Sequence, residues 1–269
     1  MSERSPSPRR VRYARTLRLF WGASVAADAE YRLNFVIAAA SAALNLAVGI
    51  FGLHLFYRTG LELGGWSWNE ALAVLGAFTF LHGMSSVVLD PNLSALVLHV
   101  QSGTLDFVLL KPMDSQFQLS TRRLSLWGLP ELLLGLGLLG MAAARLGSGP
   151  LELGAGLIML LSGAALFYSL WFILGTTSIW FVKIQNATEV LRHMLAAGRF
   201  PITAYPEVWR FVFTWVVPVA FLTSVPAEAL AGRSLTGLAP LSLLIAALAF
   251  IAARSFWRFA LRDYTSASS

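Results

Sequence analysis

Six stretches of this sequence run for about twenty residues with almost no charge, and nothing else constrains the fold so strongly. They are Leu33–Phe56, Ala71–Leu89, Leu124–Ala144, Leu153–Val182, a weaker one at Val208–Val225, and Ser234–Ala253. At about 1.5 Å of helical rise per residue, each is long enough to cross a hydrocarbon core of about 30 Å. Only the third and fifth contain a charged side chain, Glu131 and Arg210. The fourth carries no internal proline and is longer than a perpendicular crossing needs, so it is expected to tilt. Charged residues make up 13% of the chain and hydrophobic ones 57%, against about 25% charged in a soluble domain. The expected fold is all-α: a polytopic membrane bundle of about six transmembrane helices. The chain has no cysteine, which excludes disulfides, thiolate metal sites and cysteine nucleophiles.

The net charge of +6 does not point to nucleic acid, because the basic residues are bunched between the apolar runs. Seventeen of the 20 Lys and Arg fall in residues 1–32, 89–123, 183–210 and 254–269, and the alternate connections hold only Arg58, Arg145 and Arg233. By the positive-inside rule both termini are expected in the cytoplasm. The fifth crossing has two readings. Either 208–225 spans the membrane, or 186–203 does, with 205–226 forming a re-entrant pair of short helices broken by Pro206, Pro218 and Pro226. The orientation survives either way.

Outside the spans, residues 1–10 are Ser-, Pro- and Arg-rich and read as a disordered basic tail. Residues 11–32 read as an amphipathic interfacial helix, with Leu17, Phe20, Trp21 and Val25 at helical spacing and Arg12, Arg15 and Arg18 able to reach anionic headgroups. The remainder, 33–269, is one membrane domain. After the second run, Asp90 and Pro91 suit a helix start, and Leu93, Leu96, Val97 and Val100 form one apolar stripe. Asn92, His99 and Gln101 are expected to face away, and Gly103 to end the helix. This short cytoplasmic helix leads into Gly103-Thr104-Leu105-Asp106-Phe107-Val108-Leu109-Leu110-Lys111-Pro112.

With these residues in view, the chain resembles the permease subunit of a type-2 ABC exporter, in the branch described as ABC-2 family transporter protein. The resemblance rests on Gly103, Leu105, Asp106, Leu109, Leu110, Lys111 and Pro112, with support from Gly65-Trp66-Ser67-Trp68, Gly198-Arg199-Phe200-Pro201 and the ending Tyr264-Thr265-Ser266-Ala267-Ser268-Ser269. It implies a multi-pass protein of a prokaryotic cytoplasmic membrane. It also implies a second permease chain, identical or related, and two copies of a separate ABC ATPase. The helix bearing Asn92, Leu93, Leu96, Val97, His99 and Val100 would be the coupling helix at the ATPase interface.

The chain itself carries no phosphate-binding loop. Such a loop needs Gly-x-x-x-x-Gly-Lys-Ser/Thr, whereas Lys111 and Lys183, the two lysines, are followed by Pro and Ile. ATP and Mg are therefore expected on the partner, with no cofactor, metal or catalytic residue here. An intramembrane enzyme would need a paired polar constellation, and none of the usual spacings occurs. An ion-coupled antiporter would need several buried titratable groups, and Glu131 is the one clear example. Glu131 is either a paired structural carboxylate or part of a path for cationic substrates. The aromatic cluster of the fourth run, Phe167 and Trp171 included, either lines that path or packs against neighbours.

Overall fold

The structure, a computed structural model, describes residues 9–60, 63–181, 195–233 and 238–264. The described residues form no β-strand beyond one isolated bridge, Leu63 to Trp66. The helices are α1 (Arg9–Ala29), α2 (Arg32–Arg58), α3 (Trp68–Met84), α4 (Asp90–Gln101), α5 (Asp106–Leu109), α6 (Ser115–Thr121), α7 (Leu129–Leu146), α8 (Pro150–Thr176), α9 (Glu207–Phe211), α10 (Val219–Leu230) and α11 (Leu238–Asp263). Among the described residues, five helical stretches are long and apolar enough to cross a membrane, and a bent pair of shorter helices makes a sixth if it is counted as one span.

The second crossing differs most from its sequence reading. It continues without interruption from Trp68 to Gln101, so α4 extends α3 in line rather than standing apart. At about 1.5 Å per residue its 34 residues exceed a core of about 30 Å, and α4 must project beyond it. Pro91 has no N–H and cannot bond the carbonyl of Val87, and the helix absorbs this defect in a π-turn at Ser85–Leu89. The freed Val87 carbonyl accepts from the Ser125 N–H at 2.9 Å.

The fifth crossing is not a single span over 208–225. Glu207–Val216 and Val219–Leu230 meet at 96°, because Val217 is extended and Pro218 cannot continue the hydrogen-bond ladder. Half of the competing span, 186–194, lies outside the described residues; its second half forms two short 3₁₀ turns, Ala196–Arg199 and Ile202–Ala204. The last helix runs ten residues further than its apolar run, to Asp263, and brings Arg254 into the bundle.

The tightest packing is between α3 and α7. Glycines at heptad spacing, Gly76 and Gly83 on one side and Gly128 and Gly135 on the other, let the backbones touch. A Cβ on Gly135 would fall 2.6 Å from the Phe80 Cα, and one on Gly83 would fall 2.6 Å from the Leu132 Cα. Helices in lipid associate by such close van der Waals packing, because burial from hydrocarbon brings no hydrophobic gain. The core itself gathers around α3, α8 and α10, where Leu72, Leu81, Phe167, Phe172 and Phe221 are all fully buried.

α1 lies against the connection that joins α6 to α7, at the Arg-rich end. The Trp21 indole donates to the Thr121 carbonyl at 3.1 Å, and Asp28 accepts from the Leu126 N–H at 2.8 Å. Tyr13 meets the Phe117 ring edge-on. Leu17 and Phe20 of the expected apolar stripe are half-buried here, whereas Trp21 and Val25 stay exposed, as do Arg15 and Arg18.

Candidate functional site

The projecting helix α4 is clamped from below by one side chain. Asn92 is 1% exposed and does not face away. Its amide donates to the carbonyls of Val88 (2.6 Å) and Arg123 (2.7 Å) and accepts from the Arg123 N–H (2.8 Å). Removing it strands buried backbone groups, each worth about 1–3 kcal/mol. Asn92→Leu is therefore expected to cost about 3 kcal/mol, seen as a lowered thermal midpoint in detergent; an unchanged midpoint would show the clamp to be idle.

The apolar stripe of α4 turns inward. Leu93, Leu96 and Val97 are buried, and methyls of Leu93 and Leu96 sit over Gly175 of α8. These three residues and Asn92 are thus no docking surface; Val100 and His99 are half-buried. The in-line geometry is the reason, since it lays α4 along the far end of α8. The exposed apolar residues of this end are others: Leu98 at 59%, Phe107 at 68% and Leu110 at 80%. Lys111 and Pro112 beside them are exposed too.

The 103–112 segment is built to present that surface. Gly103 turns the chain with a positive φ of 66°, and the N–H groups of Thr104 and Leu105 both return to the His99 carbonyl. Leu105 and Val108 then anchor in the core, with Leu109 packed partly against it, which leaves Phe107 and Leu110 outward. His99 bonds the Thr104 hydroxyl at 2.8 Å. Burial, and then the charges of Arg122, Arg123 and Lys111, hold its imidazole below its ordinary pKa. The surface is accordingly apolar at its centre and basic at its border. Asp106 lies against Tyr264, whose phenol is raised chiefly by burial and then by that carboxylate.

Short polar links carry this end into the membrane helices. Arg254 of α11 pairs with Asp114 and donates to the Gln116 amide oxygen at 3.1 Å. Gln116 donates to the Tyr168 hydroxyl of α8 at 3.1 Å, and that hydroxyl meets Ser120 at 2.7 Å. The Trp257 indole donates to Ser115 at 3.0 Å. Burial opposes ionisation of Asp114, but hydrogen bonds from Arg254 and the Phe117 N–H outweigh it and hold the carboxyl below its ordinary value. The sign follows from linkage: this stabilisation is complete above the unfolded carboxyl range and is lost only as pH falls through the lower folded value. Arg254 was legible in the sequence only as a flanking charge.

The expected path residues divide. Glu131, at the start of α7, meets the Nδ1 of His82 on α3 at 2.9 Å; both side chains are partly exposed. His82 is the partner that spacing alone did not reveal. Phe167 and Trp171 are both 2% exposed and packed against the core, the neighbour-packing alternative of their sequence reading. The Trp171 indole donates to the Ser85 hydroxyl at 3.2 Å, and Ser85 in turn donates to Asp90 at 3.1 Å. A cavity of about 190 Å³ between α7, α8 and α10, bordered by Leu139, Gly156, Leu160 and Pro226, holds none of these residues. Among the described residues there is no group of three or more side chains able to hold a metal.

Compared with known proteins, residues 43–268 match the family described as ABC-2 family transporter protein. No curated protein and no solved structure matches the chain.

Proposed function

We propose, from the premise that this chain belongs to the ABC-2 transporter family and is the membrane permease of an ABC-type transporter, that it exports its cargo under the drive of a separate ATPase. Membrane components of this family work with ABC ATPases and are not themselves catalytic. The proposed assembly has two ATPase subunits below two permease chains, identical or sister, with both termini in the cytoplasm of a prokaryote. ATP and Mg belong to the ATPase.

The observation that carries the reading is the exposed trio Leu98, Phe107 and Leu110 on a basic border, at the end where arginines concentrate. It replaces the inward stripe of α4 as the contact surface. When the ATPase subunits close on nucleotide, their movement presses on this segment. Leu105 and Val108 pass the displacement to the core around α3 and α8, the Asn92 clamp passes it to the connection before α7, and the Arg254 network passes it to α11. Stiff, buried connections make the bundle rock as a body rather than yield locally.

Phe107→Glu combined with Leu110→Glu tests the reading. Copurification of the ATPase is expected to fall at least about tenfold, because two apolar anchors become charges facing a desolvated partner. The bundle should stay folded, since both side chains lie outside its core. Undiminished copurification would remove this surface from the interface. The His82–Glu131 pair favours a second reading, ion coupling, because it supplies two titratable groups inside the membrane region. Family membership weighs against it, and flux from a proton gradient without any ATPase decides between them.

A further inference from the structure

Among the arginines whose side chains are described, only Arg199 and Arg254 are half-buried, and the others are exposed. Arg254 is neutralised by Asp114. Arg199 has no such partner among the described residues: its guanidinium lies 5.0 Å from the centre of the Phe78 ring, and its buried Nε donates to nothing. Phe78 lies ten residues into α3, about 15 Å from the helix start and so near mid-depth of a core of about 30 Å. Arg199 is half-buried with its Nε enclosed, and an arginine without a carboxylate partner among membrane-spanning helices marks a site where an anionic ligand would compensate it.

A second orphan lies against Gly198, the residue before it. Thr223 of α10 is 1% exposed, and its hydroxyl has no partner. Several other helical hydroxyls bond back to the carbonyl four residues earlier, as Thr79, Ser169, Thr176 and Thr214 do. Thr223 does not. Its Oγ1 would lie 3.2 Å from a Cβ on Gly198, the residue preceding Arg199, so the two unsatisfied donors flank one close contact between the Ala196–Arg199 turn and α10.

We infer that Arg199 and Thr223 form an anion-recognition point inside the permease, which takes the carboxylate or phosphate head of an amphipathic molecule. The guanidinium supplies charge and a fork of donors, the hydroxyl supplies one more, and Phe78 with the apolar core favours a hydrocarbon tail. That this ligand is cargo rests on the permease reading; the binding itself does not.

The experiment uses the full chain in nanodiscs of phosphatidylcholine, without ATPase, and two dansyl-tagged probes: a long-chain carboxylic acid and its methyl ester. The acid is expected to bind at least about tenfold tighter than the ester, the size of a charge-assisted contact. Arg199→Gln should erase the preference and leave ester binding alone. Arg199→Lys should keep part of it, and Thr223→Val should weaken acid binding about threefold. Equal binding of acid and ester to the unaltered chain, or a preference that survives in Arg199→Gln, overturns the inference. If Arg199→Gln does not fold, an unchanged acid preference in both Arg199→Lys and Thr223→Val does the same. A final arm adds phosphatidylglycerol and distinguishes the sources: unchanged acid affinity supports a diffusing amphiphile, whereas displacement in proportion to its content supports a bilayer lipid as the occupant. Because no ATPase is present, loss of coupling in the Phe107 and Leu110 double variant leaves this result untouched, and the reverse holds.

Discussion

Gly135→Leu is expected to prevent assembly of the bundle, whereas Gly137→Leu, two residues away, is expected to leave it intact. A side chain at 135 has nowhere to go. Its first carbon would fall 2.6 Å from the Phe80 Cα, where backbone and not a flexible side chain is the obstacle. Ordinary overpacking costs about 1–3 kcal/mol because neighbouring side chains move aside. Here α3 and α7 must separate along their whole contact, so the cost exceeds that range. Gly83→Ala should behave similarly, since its Cβ would meet the backbone of Glu131 and Leu132. At Gly137 there is nothing within 4 Å and the position is exposed. Expression, monodispersity in detergent and thermal midpoint distinguish the cases. A well-behaved Gly135→Leu protein would mean that the two helices do not pack as described.

Glu70→Ala is expected to cost about 3 kcal/mol, and more than the loss of any other single surface-side ion pair. Glu70 is 7% exposed and has two tasks. It closes a capping box at the start of α3, accepting from the Ser67 N–H at 2.7 Å. It also receives a bidentate pair from Arg233, whose second nitrogen lies 2.7 Å from Oε2. Arg233 in addition donates to the Gly65 carbonyl at 2.8 Å and covers the buried Trp66 ring. The pair ties the α2–α3 connection to the end of α10. Arg233→Lys should recover only part of the stability of the pair, because an ammonium cannot reproduce the fork. The thermal midpoint of both variants, measured at low and high salt, checks this. If Glu70→Ala leaves the midpoint unchanged, or if salt abolishes the difference, the pair is an ordinary solvent-screened contact.

What could be read from the sequence follows what each signal depends on. The apolar runs report one-dimensional burial in lipid, so the helices at Arg32–Arg58 and Pro150–Ile179 sit almost where Leu33–Phe56 and Leu153–Val182 were expected. The break near Pro218 was legible because proline acts locally. The direction in which a helical stripe faces is not local. Leu93, Leu96 and Val97 look the same whether they meet a partner protein or α8, and only the continuous helix through the Ser85–Leu89 turn decides. The same applies to Glu131, whose partner His82 is 49 residues away. Arg254 was missed for a different reason: a charge after an apolar run reads as its boundary, yet α11 continues past it and Asp114 compensates the burial. The glycine seam gave no reading from the sequence, although Gly76 with Gly83 and Gly128 with Gly135 stand seven residues apart there. Its meaning needed the two helices placed side by side.

The central claim is that this permease moves cargo only when an attached ATPase does work on it. Reconstitution in liposomes tests it directly, with a lipophilic cation and a long-chain carboxylate as probes. With the permease alone, an imposed proton gradient should move neither probe, and adding the ATPase subunits with ATP and Mg should start transport of at least one. Sustained probe flux driven by the proton gradient in permease-only liposomes would contradict the account.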